Sequence, residues 1–372
     1  MKSILFTKKK IDNSKEFFNK YKKLFYFIGI IIILLLVFIF FIKSNSNDEG
    51  DNLNNNFVAT SSILACDGNC TLRLIDGVPV KLGQENPFLI AAIIDNNSLA
   101  RPQFSLSKAS LIYDVPAEGG IDRYLAFFTS NLEEKDLEIG PIRSVRPYFL
   151  TIVNEYQALL LHCGGSPEAL VKITKDNLLT LNEFYNSSYY RRYLSYQAPH
   201  NVLAKYDKII EYLKDNNLSV SNFTPWKFKT KDLNLINESN LNKKIDIKNG
   251  QYQYDVTWEY DQANNVYLKN IASSPQTDNT GTRISADNII FQFVDTKILD
   301  EALRLSIDLV GSGEAIICLD GLCKSGYFEK TDTNARTVFY YDNDEEVVLN
   351  SGKTWVHLID NQTSVEIENF SL

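Results

Sequence analysis

Residues 24–42, LFYFIGIIIILLLVFIFFI, carry neither a charge nor a proline. As a helix these nineteen residues rise about 28 Å, close to a bilayer core of roughly 30 Å. A helix apolar on all sides at that length does not fit inside a small domain. The pattern therefore predicts a transmembrane helix over 24–42. Residues 43–60, KSNSNDEGDNLNNNFVAT, are polar and rich in asparagine, which predicts a flexible stalk.

Beyond the stalk the apolar pattern breaks into short runs. TLRLIDGVPVKL carries an Asp76-Gly77 hairpin signal, and FLIAAIID (88–95) reads as a strand buried on both faces. SLIYDV (110–115) and DRYLAFFTS (122–130) form a hairpin across PAEGGI. From Pro147 the period changes, with Phe149, Leu150, Val153 and Tyr156 at helical spacing. ALLLHC (158–163) is a strand. SPEALVKITKD is a helix with Ser166 as N-cap and Pro167 in the first turn, and YDKIIEYLKDNN is a third helix. After a polar stretch over 221–250, strand signals dominate. The predicted fold class is a mixed α/β (α+β) ectodomain over 61–220, a connector over 221–250 and a mainly-β domain over 251–361. A tail over 362–372 ends the chain.

Charge orients this scheme. The net charge is −8, yet eight lysines stand against two acids before residue 25, giving +6 there and −14 beyond. Lysines beside a span stay in the cytoplasm, so 1–23 is read as a basic cytoplasmic tail. Everything from Lys43 on is then extracellular. The acidic ectodomain argues against a nucleic-acid partner. No small-x-small cleavage site follows the apolar run, which favours an uncleaved signal-anchor. ILAC (63–66) is similar to a lipoprotein box but lies too far downstream of it.

All five cysteines lie beyond the span. Asp320-Gly321 as a two-residue turn sets Cys318 opposite Cys323, a separation suited to a disulfide. Cys66 and Cys70 flank another tight turn and form a second candidate pair. Cys163 is left unpaired.

The motifs AAIIDNN, ARPQFSLSKASLIYDVPAEGGIDRYLAFF, IGPIRSVRPYF, LHCGGSPEAL, APHN, DLVGSGEAI and GKTWVHLID together resemble the YerB-like family of bacterial envelope proteins. The resemblance spans roughly residues 74–360. It implies two domains of unknown function and an extracytoplasmic, membrane-attached protein, and it supplies no reaction. Family members are attached through a lipid, whereas this chain carries an apolar span. Cys163 also stands where the family has a small residue.

Chemistry concentrates in LLLHCGGSPEAL (159–170). Read as strand, Gly-Gly turn and helix, it places His162 at the carboxyl end of a strand, where open α/β sheets bind ligands. The helix start offers free N–H groups to an anion. IGPIRSVRP places Arg143 and Arg146 just before a helix, where cations need an anion, either a ligand or an internal acid such as Glu118 or Asp122. QAPHN adds His200 and Asn201 in an irregular turn. His357 alternates along a strand and reads as structural or solvent-facing. FYNSSYYRRYLSYQ (184–197) gathers tyrosines with Arg191 and Arg192. No Walker loop, dinucleotide fingerprint, nucleophile elbow or H-E-x-x-H spacing occurs, so neither a cofactor nor a metal is expected, although His162 and His200 could join Asp95 or Glu118 around one.

Two readings follow. In the first, a membrane-anchored envelope protein binds an anionic cell-wall or peptide ligand through Arg143, Arg146, His162, Ser166, His200 and Asn201. In the second, an envelope hydrolase or transferase uses His162 and His200 with Glu118 as acid/base groups. Both expect Arg143, Arg146, His162, Ser166 and His200 around one cavity.

Overall fold

The run FLIAAIID lacks polar alternation because layers of the protein cover both of its faces. Its strand β1 (Leu89–Ile94) is buried at all six positions. The computed structural model describes residues 69–134, 136–231 and 241–370. The span expected over 24–42, its basic tail and its stalk lie outside these residues. Among the described residues no helix is long and apolar enough to cross a membrane.

β1 belongs to a mixed ten-stranded sheet. Its other strands are β2 (Leu111–Val115), β3 (Arg123–Thr129), β4 (Leu159–His162), β5 (Thr180–Asn182), β6 (Asn288–Phe293), β7 (Gly311–Leu319), β8 (Leu322–Lys330), β9 (Val338–Tyr341) and β10 (Thr354–Ile359). The spatial order is β9-β8-β7-β6-β10-β2-β3-β1-β4-β5. The decisive neighbour is β10. It pairs in parallel with β6 on one side and with β2 on the other, His357 lying opposite Asp114.

The side-chain period of two sorts this sheet into two cores. Ile112, Tyr124, Phe291 and Trp355 face one layer with Trp258, Tyr267 and Ile245. Those partners come from a six-stranded second sheet that includes Lys244–Lys248, Val256–Asp261, Val266–Ile271 and Ser364–Ile367. Leu111, Tyr113, Phe127 and Val356 face the other way, against Phe149, Leu150 and Val153. The latter sit on helix α1 (Pro147–Tyr156), which starts on Pro147 and ends on Gln157 at φ 45°. Helices α2 (Pro167–Lys175) and α3 (Tyr206–Asp215) complete a mostly-β fold with three α-helices among the described residues.

The two expected domains therefore do not each close around a core of their own. The described residues belong to one compact unit, and both cores draw on residues from before 221 and after 250. The expected connector supplies strands Lys227–Lys229 and Lys244–Lys248, and the expected tail supplies Ser364–Ile367, which pairs with the latter. Polar composition misled because these are narrow strands with only one covered face; Lys244–Lys248 alternates exposed lysines with buried isoleucines.

The DG turn behaves as its sequence requires. Asp320 and Gly321 both take positive φ, 54° and 75°, and Cys318 and Cys323 are bonded across the hairpin with Cα atoms 4.0 Å apart. Cys66, the partner expected for Cys70, lies outside the described residues.

Candidate functional site

Parallel strands β1 and β4 pair at Ala92 and Leu161 and then part at their carboxyl ends. Residues 142–145 fill the gap. Arg143 N–H donates to the Ile93 carbonyl, Cys163 N–H donates to the Arg143 carbonyl, and Val145 N–H donates to the Gly164 carbonyl. The IRSVR segment is thereby held against the Gly-Gly turn. Gly164 has φ 66° beneath Phe184, and a Cβ on Gly165 would lie 2.6 Å from Val145 Cγ1. Both glycines are demanded by backbone conformation or by contact.

Arg143 and His200 meet on Asp95, which is 3% exposed. His200 Nδ1 lies 2.6 Å from Asp95 Oδ2. Arg143 Nε lies 3.2 Å from the same oxygen, an ion-pair distance without hydrogen-bond alignment. Arg143 Nη1 donates to the Pro199 carbonyl at 3.2 Å, which ties the QAPHN turn to the strand ends. Asn201 Oδ1 accepts from Arg192 Nη1 at 3.2 Å, and Arg192 also pairs with Glu183 at 3.0 Å.

Arg146 turns elsewhere. Its Nε bonds Glu118, whose other oxygen takes Arg123 Nη2 at 3.1 Å. Arg123 Nη1 donates to the Ser144 carbonyl at 3.1 Å. The helix-start arginine thus has an internal acid, Glu118, as one of the two sequence readings allowed. Asp122 instead accepts from Asn249. Burial opposes ionisation of Glu118, but the Arg146 hydrogen bond and the two guanidinium charges outweigh it and hold the carboxyl below its ordinary value. The folded state then holds this proton less tightly than the unfolded chain. Its stabilisation is full above the ordinary carboxyl range and is lost as pH falls through the folded value. Replacing Glu118 by Gln should flatten that part of the acid limb when the thermal midpoint is followed against pH. An unchanged limb would show that the clamp contributes nothing.

His162 is 1% exposed, with Nδ1 2.8 Å from the Gly164 carbonyl. Burial outweighs that bond and lowers its pKa, so the ring is neutral. Its Nε2 is buried without a hydrogen-bond partner. Ser166 Oγ accepts from Ala169 N–H as the cap of α2. Burial first, and Glu183 second, push the Cys163 thiol up to about 11, which keeps it protonated and a poor nucleophile.

The five residues expected around one cavity are thus divided. Arg143 and His200 share Asp95, Arg146 joins Glu118 and Arg123, and His162 and Ser166 are engaged in the turn. A cleft of about 820 Å³ lies elsewhere, between Leu150, Ala158, Leu179 and Val220, and none of the five lines it. His162, His200 and Glu118 each bond a different partner, so the proposed acid/base trio is not assembled. Among the described residues no group of three or more His, Cys, Asp or Glu side chains could hold a metal ion. Arg123 was missed by sequence reasoning, though its place five residues after Glu118, across the hairpin bend, was a usable signal. His357 is buried on its strand, not solvent-facing, and accepts from Trp258 Nε1 through Nε2 at 3.0 Å.

The fold and this site define a mostly-β protein whose ten-stranded sheet is covered on both faces, with a polar rim where its parallel strand ends diverge. The chain belongs to the family of proteins of unknown function built from the DUF3048 N-terminal domain, matched over residues 77–219, and the DUF3048 C-terminal domain, matched over 244–356. It is 30% identical over 277 residues to a Bacillus subtilis (strain 168) protein described as "Putative lipoprotein YerB", covering 73% of this chain and 80% of that one. The crystal structure of the YerB protein from Bacillus subtilis superposes with a TM-score of 0.70 at 25% identity, covering 80% of this chain and 99% of that one. The two family segments contribute adjacent strands, β2 and β10, to one sheet.

Proposed function

We propose that this protein is a binding or scaffold module of the cell envelope, tethered by residues 24–42 with its C-terminal body outside the cell. The lipoprotein description of the Bacillus relative supports an envelope location. The apolar run and its flanking lysines support the tether.

Its recognition face is the rim around Arg143, His200 and Asn201, and its ligand is an anionic, peptide-bearing wall fragment. One observation carries this reading. The aromatic segment packs onto the Gly-Gly turn, with Phe184 above Gly164, and within it the Arg191 guanidinium lies 5.4 Å from the ring centroid of Tyr193. Phe184, Tyr185 and Leu194 are 65%, 83% and 92% exposed. Arg143 and Arg192 both reach solvent at that edge, with side chains 21% and 44% exposed. Guanidinium groups next to exposed rings suit a carboxylate borne on a short peptide.

Binding is favoured over hydrolysis because each candidate acid or base is held by its own internal partner. The test is to incubate the full-length protein with purified wall fragments and follow both retention and product release. Salt-sensitive binding without new products is expected. Arg143→Ala should weaken it roughly 10- to 100-fold, the equivalent of about 1.5–3 kcal/mol for a charged hydrogen bond. Steady release of cleaved fragments would replace this reading with the hydrolase or transferase one. No retention at low salt would remove the ligand assignment altogether.

A further inference from the structure

The core between the two sheets holds an ionisable cluster that the rim does not use. Asp114 on β2, Asp122 and Tyr124 beside and on β3, and Trp355 and His357 on β10 lie at alternate positions of paired strands and so share one face. Lys269 reaches them from strand Val266–Ile271 of the second sheet and is 0% exposed. Its Nζ lies 3.5 Å from Asp114 Oδ2 and donates to the Tyr124 hydroxyl at 3.0 Å. It also sits 4.0 Å from the ring centroid of Trp355 and 4.5 Å from that of Tyr124. Asp114 is 2% exposed, and its Oδ1 has no hydrogen-bond partner.

His357 fixes the polarity of this cluster. Its Nε2 accepts from Trp258 Nε1, so the proton of the neutral ring is on Nδ1. That Nδ1–H faces Asp114 Oδ2 at 3.3 Å. A primary amine and a carboxyl group are therefore enclosed together behind aromatic walls, with a donor placed on the carboxyl oxygen. Proximity of this kind replaces a bimolecular condensation by an intramolecular one.

We propose that Lys269 and Asp114 condense to an intramolecular amide that joins the two sheets covalently. The Lys269 Nζ–Asp114 Cγ bond forms and one Cγ–O bond breaks. The departing oxygen leaves as water with two protons from the ammonium group, and nothing is oxidised or reduced. The attacking species is the free amine, and desolvation makes it accessible by lowering Lys269 to about 8 against the attraction of Asp114. Asp114 rests mainly as the carboxylate, because the charge of Lys269 and the contact with His357 outweigh its burial. Asp122, beside β3 and bonded to Asn249, is held well above the ordinary carboxylate value by burial and then by the charges of Asp114 and Asp360. Proton transfer from the Lys269 ammonium to the Asp114 carboxylate within their ion pair gives the neutral amine and acid that react. Arg101 is the remaining charge felt by Lys269 and favours its neutral form.

The full-length chain, purified in detergent, reduced and denatured, is weighed intact beside a Lys269→Arg variant prepared identically. Wild type should be one water lighter than its sequence and the variant should match its own. Digestion should yield one branched peptide containing both Asp114 and Lys269. This readout survives even if the variant fails to fold, because the wild-type mass and peptide map stand alone. Full sequence mass, or a lost water with Asp114 and Lys269 in separate linear peptides, overturns the proposal and leaves an ion pair.

Discussion

Replacing Glu155 by alanine should lower the unfolding free energy by about 3–5 kcal/mol, the usual consequence of removing one partner of a buried ion pair. Glu155 projects from α1 into the second core, where Oε1 lies 2.8 Å from Lys330 Nζ. Thr337 donates its hydroxyl to Oε1 and its N–H to Oε2, each at 2.9 Å. Burial outweighs these attractions and holds the carboxyl above its ordinary value, so the pair is costly to bury. Breaking it is costlier, because Lys330 is 1% exposed and would be left buried without its counter-ion. A double replacement, Glu155→Leu with Lys330→Met, removes both charges and should recover most of the loss. Urea denaturation followed by circular dichroism measures both. An alanine variant within about 1 kcal/mol of wild type would mean that water reaches Lys330 as readily as it reaches a surface pair.

Trp355→Ala should cost a similar amount, about 3–5 kcal/mol, through the cavity it leaves. Trp355 is fully buried on β10 and packs edge-on against Tyr124 and Trp258 at 5.3 and 5.2 Å between centroids. Its Nε1 is buried without a hydrogen-bond partner. Phenylalanine at this position removes that unpaired donor while keeping most of the ring, so Trp355→Phe should cost less than half as much as alanine. Equal losses for the two variants would show that the indole N–H is satisfied. The same denaturation assay separates these outcomes.

Much of the local architecture was legible in the sequence. Pro147, Ser166 with Pro167, and Asp320-Gly321 each set a helix start or a turn through their own backbone preferences, and the structure places all three as read. The Cys318–Cys323 bond followed from that turn. Long-range order was not legible in the same way. Nothing local tells β10 to lie between β6 and β2, because a strand buried on both faces has no alternation to orient it. Lys269 escaped notice because its partners Asp114, Tyr124 and Trp355 are distant in sequence and each looks ordinary alone. The candidate site was half legible. His200, Arg143 and Arg146 were found from turn and helix-start chemistry, but which carboxylate each would meet depended on how strand ends splay.

The place of β10 also governs the order in which this molecule can be completed. A chain emerges amino-terminus first, and by the time α3 has appeared, β2 has β3 on one side and nothing on the other. Its free edge is a row of unpaired N–H and carbonyl groups in mid-sheet, of the kind that recruits strands from other chains. That edge stays open through the whole of the second half, until residues 354–359 arrive to close it. The last tenth of the chain is therefore the keystone of the first half, and any ribosomal product that stops short of it is born with an adhesive seam.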